Sequence, residues 1–243
     1  MNTQPPPPEW GNDPLTQYLD AARRNQFATF ANRRPVVRDL IDIDGMFRKL
    51  LNGGIDPKPL LPMGFLLRAH SAYLTAVGAV MAGQLHELQP LLRACLEQAG
   101  YGHFIGNDQA RWERWMDRHE PRSRSQQDKW KKEFTHGAVS RHLTAADATL
   151  GGTYTQLYDQ TIDYGGHPNE RGASMSSDIV DLPNGGKQWL AIYLHDNQLL
   201  LDFSLKMTAQ VGLCVLRIAE VIYPTRVQAL GTSFRLDDMC KRY

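Results

Sequence analysis

Arg93 and Glu97 stand four residues apart in the stretch Gln84–Arg114, which is otherwise dense in Leu, Ala and Cys. On a helix that spacing puts both side chains on one face, a turn apart. A charged pair inside an apolar helix needs a solvent-facing side or a polar pocket to point into. Arg68, in the preceding apolar run, would flank Glu97 if the two helices pair. Two guanidinium groups around one carboxylate could anchor Glu97 itself, or take an incoming carboxylate or phosphate through arginine's planar fork. The competing reading is structural: an exposed pair worth roughly 0.2–0.5 kcal/mol, or a buried one that fixes helix register.

His167 is the second candidate. It sits in the turn Gly165-Gly166-His167-Pro168-Asn169, exposed enough to act and constrained enough to be positioned as a general acid or base near neutral pH. A turn residue capping a helix end fits the same position, and Tyr164 and Asn169 share either role. The catalytic candidates are therefore His167, Arg93 and Glu97, with Arg68, Tyr164 and Asn169 as ligand-binding candidates. No metal and no cofactor are expected. The eight histidines are scattered without paired i, i+4 ligands, and His86-Glu87 has Pro90 where H-E-x-x-H needs its second histidine. Walker A and G-x-S-x-G motifs are absent. Gly100, Gly102 and Gly106 close a helix rather than open one after a strand, so they are no dinucleotide loop.

The elements that must hold these residues are mostly helical. Residues 1–13 form a Pro-rich tail, expected to be disordered, and residues 14–243 a single helical-bundle domain. Asp13-Pro14 starts a helix with a cap and a first-turn proline. Pro35 breaks it, and a second amphipathic run ends at Asn52-Gly53-Gly54. A third helix runs over about 60–82, with Met63, Leu66, Leu67, His70, Leu74, Val77 and Met81 as its apolar stripe and Gly64, Ser71, Ala72, Thr75, Gly78 and Ala79 as a small-residue side. The helix carrying Arg93 and Glu97 follows and reaches Ile105. A further helix over 144–164 is weakened or split by Gly151-Gly152. Asn184-Gly185 between two strand-like runs, 178–182 and 187–194, signals a β-hairpin. A long helix over 199–222 ends at Pro224, and a short tail follows. The fold class is all-α, a multi-helix bundle with one β-hairpin inserted before the last long helix.

The charged segment 109–134 reads as one or two exposed helices interrupted at Pro121. Its cations and its three tryptophans, Trp112, Trp115 and Trp130, are what single-stranded nucleic acid needs, charge for phosphates and rings for stacking. Asp108 and five interleaved carboxylates offset much of that charge, and a solvated arm whose tryptophans dock onto the bundle is the favoured reading.

With 243 residues, 42% apolar and 22% charged, the chain can bury a large single core. A net charge of +1 gives no global drive onto nucleic acid or an acidic membrane. The three cysteines form no C-x-x-C and no disulfide framework, which points to a reducing compartment. The N-terminus lacks the basic and apolar regions of a signal peptide. Two apolar runs of spanning length carry internal charges, Arg68 in one and Asp202, Lys206, Arg217 and Glu220 in the other, so buried bundle helices explain them better than membrane spans. A cytoplasmic protein without a membrane role is expected.

Two stretches carry a family resemblance. LLRACLEQAGYGHFIGND, followed after the charged segment by LYDQTIDYGGHPNERG, resembles a family of uncharacterised bacterial helical proteins with an R-x-x-x-E helix and a later helix ending in a His-Pro turn. That family is similar to the HEPN-like helical bundles, some of which are toxins or defence-associated ribonucleases. The resemblance covers residues 60–222 and makes Arg93, Glu97 and His167 the motif positions. HEPN ribonucleases carry an Arg followed several residues later by His, with a polar residue after the Arg. Here only Arg114 and His119 fit that spacing, with Trp115 after the Arg, outside any recognisable core helix. The resemblance implies a ligand- or partner-binding module, stress- or defence-associated, using the Arg68, Arg93, Glu97 and His167 region for an anionic ligand. A metal-independent endoribonuclease acting on RNA, with His167 as acid/base and Arg93 on the phosphate, is the alternative. A homo-oligomer that makes contact through its charged arm or hairpin is a third. Whether the chain catalyses anything stays open at this point.

Overall fold

The computed structural model describes residues 5–53, 57–106, 108–117, 123–166 and 168–243. His167 lies outside them, as do His119 and the Pro121 interruption. Among the described residues the chain is an all-α bundle with one two-stranded hairpin before the last long helix.

Short polar residues and prolines punctuate it. Asp13 caps α1 (Pro14–Asn32), accepting from the amides of Leu15 and Thr16 at 2.9 and 3.0 Å. The described part of the Pro-rich segment folds back on that start: Trp10 Nε1 donates to Asp20, and the Gly11 amide to Thr16 Oγ1, both at 2.9 Å. Pro35 falls in the first turn of α2 (Arg34–Leu51), where its missing N–H is harmless. Gly83, at φ +83°, closes α3 (Leu61–Ala82) in the left-handed conformation that glycine adopts without strain. Next come α4 (Leu88–Gly106), α5 (Gln109–Met116) capped by Asp108, and α6 (Arg124–Glu133) with a Ser123–Gln126 capping box. Thr135 caps α7 (His136–Ala146), and Asp147 both ends α7 and caps α8 (Ala148–Thr161). The chain therefore breaks at Asp147, while Gly151 and Gly152, expected to weaken or split the helix, lie inside α8 without breaking it.

A π-helical turn (Ile162–Gly166) leads to α9 (Glu170–Ser176). Strands β1 (Ser177–Asp181) and β2 (Lys187–Ala191) pair antiparallel, Ile179 opposite Trp189. Gly185, at φ +79°, sits in the connecting turn. The second strand ends before the expected Leu194. Beyond it the His195 amide donates to the Gly83 carbonyl at 2.9 Å, drawing the chain back onto the bundle.

The 25-residue α10 (Gln198–Ile222) packs against α2, α3, α4 and α8 and carries the largest share of the core. Both α3 and α10 are long and apolar enough to cross a membrane by length and composition; here α10 runs through the middle of the bundle. Instead of a short tail, α11 (Pro224–Ala229) and α12 (Ser233–Cys240) follow it. One face of α3 also differs from its expected stripe. Ala69, Tyr73, Ala76 and Val80 are buried, whereas Leu67 and Leu74 are exposed. This helix is apolar nearly all round, so periodicity does not fix its inward face. Close packing does: the Cys95 thiol of α4 donates to the Ala69 carbonyl at 3.2 Å, an approach that small residues permit.

Candidate functional site

Arg93, Glu97 and Tyr101 occupy successive turns of α4, and α7 and α8 bring two more polar rings to them. Arg93 Nε donates to Glu97 Oε1 at 3.0 Å. The Tyr158 hydroxyl, from α8, donates to the same oxygen at 2.9 Å. The Arg93 guanidinium lies 5.2 Å from the Tyr158 ring centroid. His136, the first residue of α7, stacks on that ring, 3.5 Å between centroids and 13° from parallel. Glu97 Oε1 thus takes two donors, while Oε2 receives no hydrogen bond from any described residue.

Burial, and then the Glu97 carboxylate, push the Tyr158 hydroxyl up to about 12. Burial opposes the Arg93 charge, but the hydrogen bond and charge of Glu97 outweigh it and raise the guanidinium above its ordinary value. Burial holds His136 below the usual histidine range. Tyr101 is raised by burial and by Glu97. The cluster is an ion pair with a tyrosine clamp, built to hold a carboxylate in place.

Glu97 also forms one wall of a cavity of about 240 Å³, together with Gln98 and five aromatic side chains: Phe65, Tyr101, Trp115, Trp130 and Phe134. The arm formed by α5 and α6 supplies part of its aromatic wall. Arg114 grips Glu133 with Nη2–Oε1 at 2.6 Å and Nε–Oε2 at 3.0 Å, tying the two short helices together. The Trp115 ring meets Phe65 edge-on at 5.5 Å, and Trp130 tilts against Phe134 at 5.0 Å. Trp112, Trp115 and Trp130 all pack against the hydrophobic core, so the arm docks through its tryptophans.

Of the other sequence candidates, those among the described residues make no hydrogen bond or ion pair with Glu97. Arg68 is exposed on α3 and makes no ion pair with it. Tyr164, in the π-helical turn, packs its ring against Phe203 at 5.1 Å. Asn169 caps α9, accepting from the Gly172 amide at 2.7 Å and donating to the Ile162 carbonyl at 2.6 Å. Their turn rests on His86, near the start of α4, where Gly165 has φ +123° and a Cβ would come within 2.4 Å of the imidazole. His167, the proposed acid/base, lies outside the described residues.

Sequence reasoning missed Tyr101, Tyr158 and His136. Tyr101 was within reach, because it continues the i, i+4 spacing of Arg93 and Glu97. A larger cavity of about 550 Å³ lies between α8, α10 and the C-terminal residues. Its Arg217 and Glu220 are paired at 2.6 Å, its Gln210 amide donates to the Tyr243 carbonyl, and burial pushes its Cys214 thiol up to about 12. Arg217 and Glu220 are therefore committed to each other and Asp147 to the cap of α8, whereas Glu97 Oε2 takes no hydrogen bond from a described residue. Among the described residues no three His, Cys, Asp or Glu side chains gather as a metal site requires.

No family model, no curated protein and no solved structure matches this chain.

Proposed function

We propose that this chain is a ligand-binding helical bundle of the HEPN-like kind, and that Glu97 and the aromatic cavity beside it are its recognition site. One observation carries the reading: Glu97 is fixed by Arg93 and Tyr158 through a single oxygen, with its second oxygen unclaimed by described residues at the wall of a cavity. Preorganised polar groups set among apolar and aromatic walls are the usual construction of a binding site. A ribonuclease would need a mobile proton near neutral pH and a cation aimed at the phosphate. Against that requirement, Arg93 holds Glu97, and the Tyr158 proton is pushed up to about 12.

The test is RNA cleavage in EDTA by the wild type, His167→Ala and Arg93→Ala, each checked for folding. No cleavage above background by the wild type is expected. Wild-type cleavage that disappears in both folded variants would overturn the binding reading and establish the metal-independent endoribonuclease in its place.

A further inference from the structure

We infer that the cavity beside Glu97 takes an alkylated ammonium group, carried either by a small molecule such as choline or by a methylated lysine side chain. The inference rests on the binding reading above and gives its site a ligand class. Five aromatic rings from separate parts of the chain surround the space: Phe65 on α3, Tyr101 on α4, Trp115 on α5, Trp130 on α6, and Phe134 just after it. The pairs among them are inclined, 66° for Phe65 with Trp115 and 35° for Trp130 with Phe134. One face of Trp115 is stacked on Trp112 at 5.7 Å; the inclined rings differ in the direction of their electron-rich faces, and tryptophan faces attract cations best.

The hydrogen-bonding capacity of the walls selects among cations. The Tyr101 hydroxyl is used by the Phe134 carbonyl at 2.9 Å, and the Trp130 indole N–H by the Arg114 carbonyl at 3.2 Å. Among the described residues no Lys, Arg or His lines the cavity, and the one charged group they bring to it is the Glu97 carboxylate. A primary ammonium would bring three N–H donors to a wall with few acceptors. An alkylated ammonium brings positive charge with few or no donors, and its methyl groups match apolar ring faces. An anion would meet the Glu97 carboxylate, whose partner Arg93 is not among the described residues that line the cavity.

Size points the same way. At about 240 Å³ the space is smaller than the roughly 300–1,000 Å³ that holds a drug-sized ligand, so it fits one group rather than a large molecule. The Arg114–Glu133 pair holds the two arm helices together, which keeps Trp115 and Trp130 in place without ligand.

The experiment is a titration of the full chain followed by tryptophan fluorescence and by calorimetry, at constant ionic strength. The probes are tetramethylammonium, choline, and the uncharged choline isostere with carbon in place of nitrogen. A trimethyllysine peptide is compared with its unmodified form. Saturable binding of the cations, roughly tenfold or more tighter than the isostere, is expected. Choline outbinding the peptide identifies a small molecule as the source, and the reverse identifies a side chain; either supports the inference. Glu97→Gln should weaken binding by about tenfold. Trp130→Leu is the second variant, because Glu97 also braces Arg93 and Tyr158. Equal binding of the isostere would overturn recognition of charge while leaving a ligand site. No saturable response to any probe would overturn the ammonium site, whereas RNA cleavage overturns the reading beneath it.

Discussion

His103 lies on α4 with only 3% of its surface exposed, its ring 5.0 Å from that of His142 on α7. Burial, then the charges of His142 and Arg111, lower it to about 4. A histidine whose folded value falls below its unfolded value of about 6.5 favours the fold fully above that pH, and the contribution is lost as pH drops toward 4. Over that window the unfolded chain binds the extra proton, at about 1.4 kcal/mol per pH unit and about 3 kcal/mol in all. His103→Leu, which removes a buried Nδ1 without a hydrogen-bond partner, should therefore change stability little at pH 7 and flatten the acid limb. Urea denaturation at intervals from pH 7 to 4 measures it; an unchanged slope would refute the assignment. The candidate site was legible at this scale only where its residues share a helix. Four-residue spacing put Arg93 and Glu97 on one face, and the same rule reaches Tyr101. Tyr158 sits 61 residues from Glu97 in sequence, and His136 is one of eight histidines, so only the packing of α7 and α8 on α4 reveals their roles.

Helix ends were easier to read than helix faces. Asp13-Pro14, Pro35 and Asn52-Gly53 act through local hydrogen bonds and backbone restriction, and α1 and α2 stop and start where those residues stand. The buried side of α3 depends on its neighbours, which local signals do not encode. Gly151-Gly152 shows the same limit. Isolated propensity counts each glycine as roughly 0.8–1 kcal/mol worse than alanine inside a helix, yet α8 runs through both. A Cβ at Gly151 would lie 2.5 Å from Thr144 Cα and 2.7 Å from Thr144 N, so the glycine lets α8 close against the backbone of α7. Gly152 has nothing within 4 Å of that position. The two neighbours should answer substitution with opposite signs. Gly152→Ala should stabilise by about 0.5–1 kcal/mol, and Gly151→Ala should destabilise by about 1–3 kcal/mol because backbone must move. Chemical denaturation of both variants decides it, and a Gly151→Ala protein as stable as wild type would sink the argument.

Across the whole molecule, residues 224–243 run back along α2 and bind it at three heights. Arg226 Nε donates to the Leu50 carbonyl at 2.8 Å, Arg235 pairs with Asp42, and Arg242 Nη1 reaches both oxygens of Asp39 at 2.9 and 3.0 Å. The Tyr243 hydroxyl adds a third hydrogen bond to Asp39 at 2.9 Å. These contacts join residues about two hundred positions apart, so no local pattern announced them, and the segment read as a tail. The Asp39 side chain is 13% exposed and that of Arg242 43%, which makes the two ends of the pair unequal. Removing the aspartate charge leaves an arginine that can turn into water. Removing the arginine leaves a nearly buried carboxylate with one hydroxyl donor, and an uncompensated buried charge is the more expensive defect. Arg242→Met should therefore destabilise by about 2 kcal/mol and Asp39→Asn by about 1 kcal/mol. In the double variant the asparagine has no charge left to compensate, so its loss should fall short of the sum by more than about 0.5 kcal/mol. Denaturation of the three variants closes the cycle. Additive losses would show that the C-terminal segment is held by Val227, Leu236 and Met239 packing into the core, with the arginine ladder contributing only at the surface.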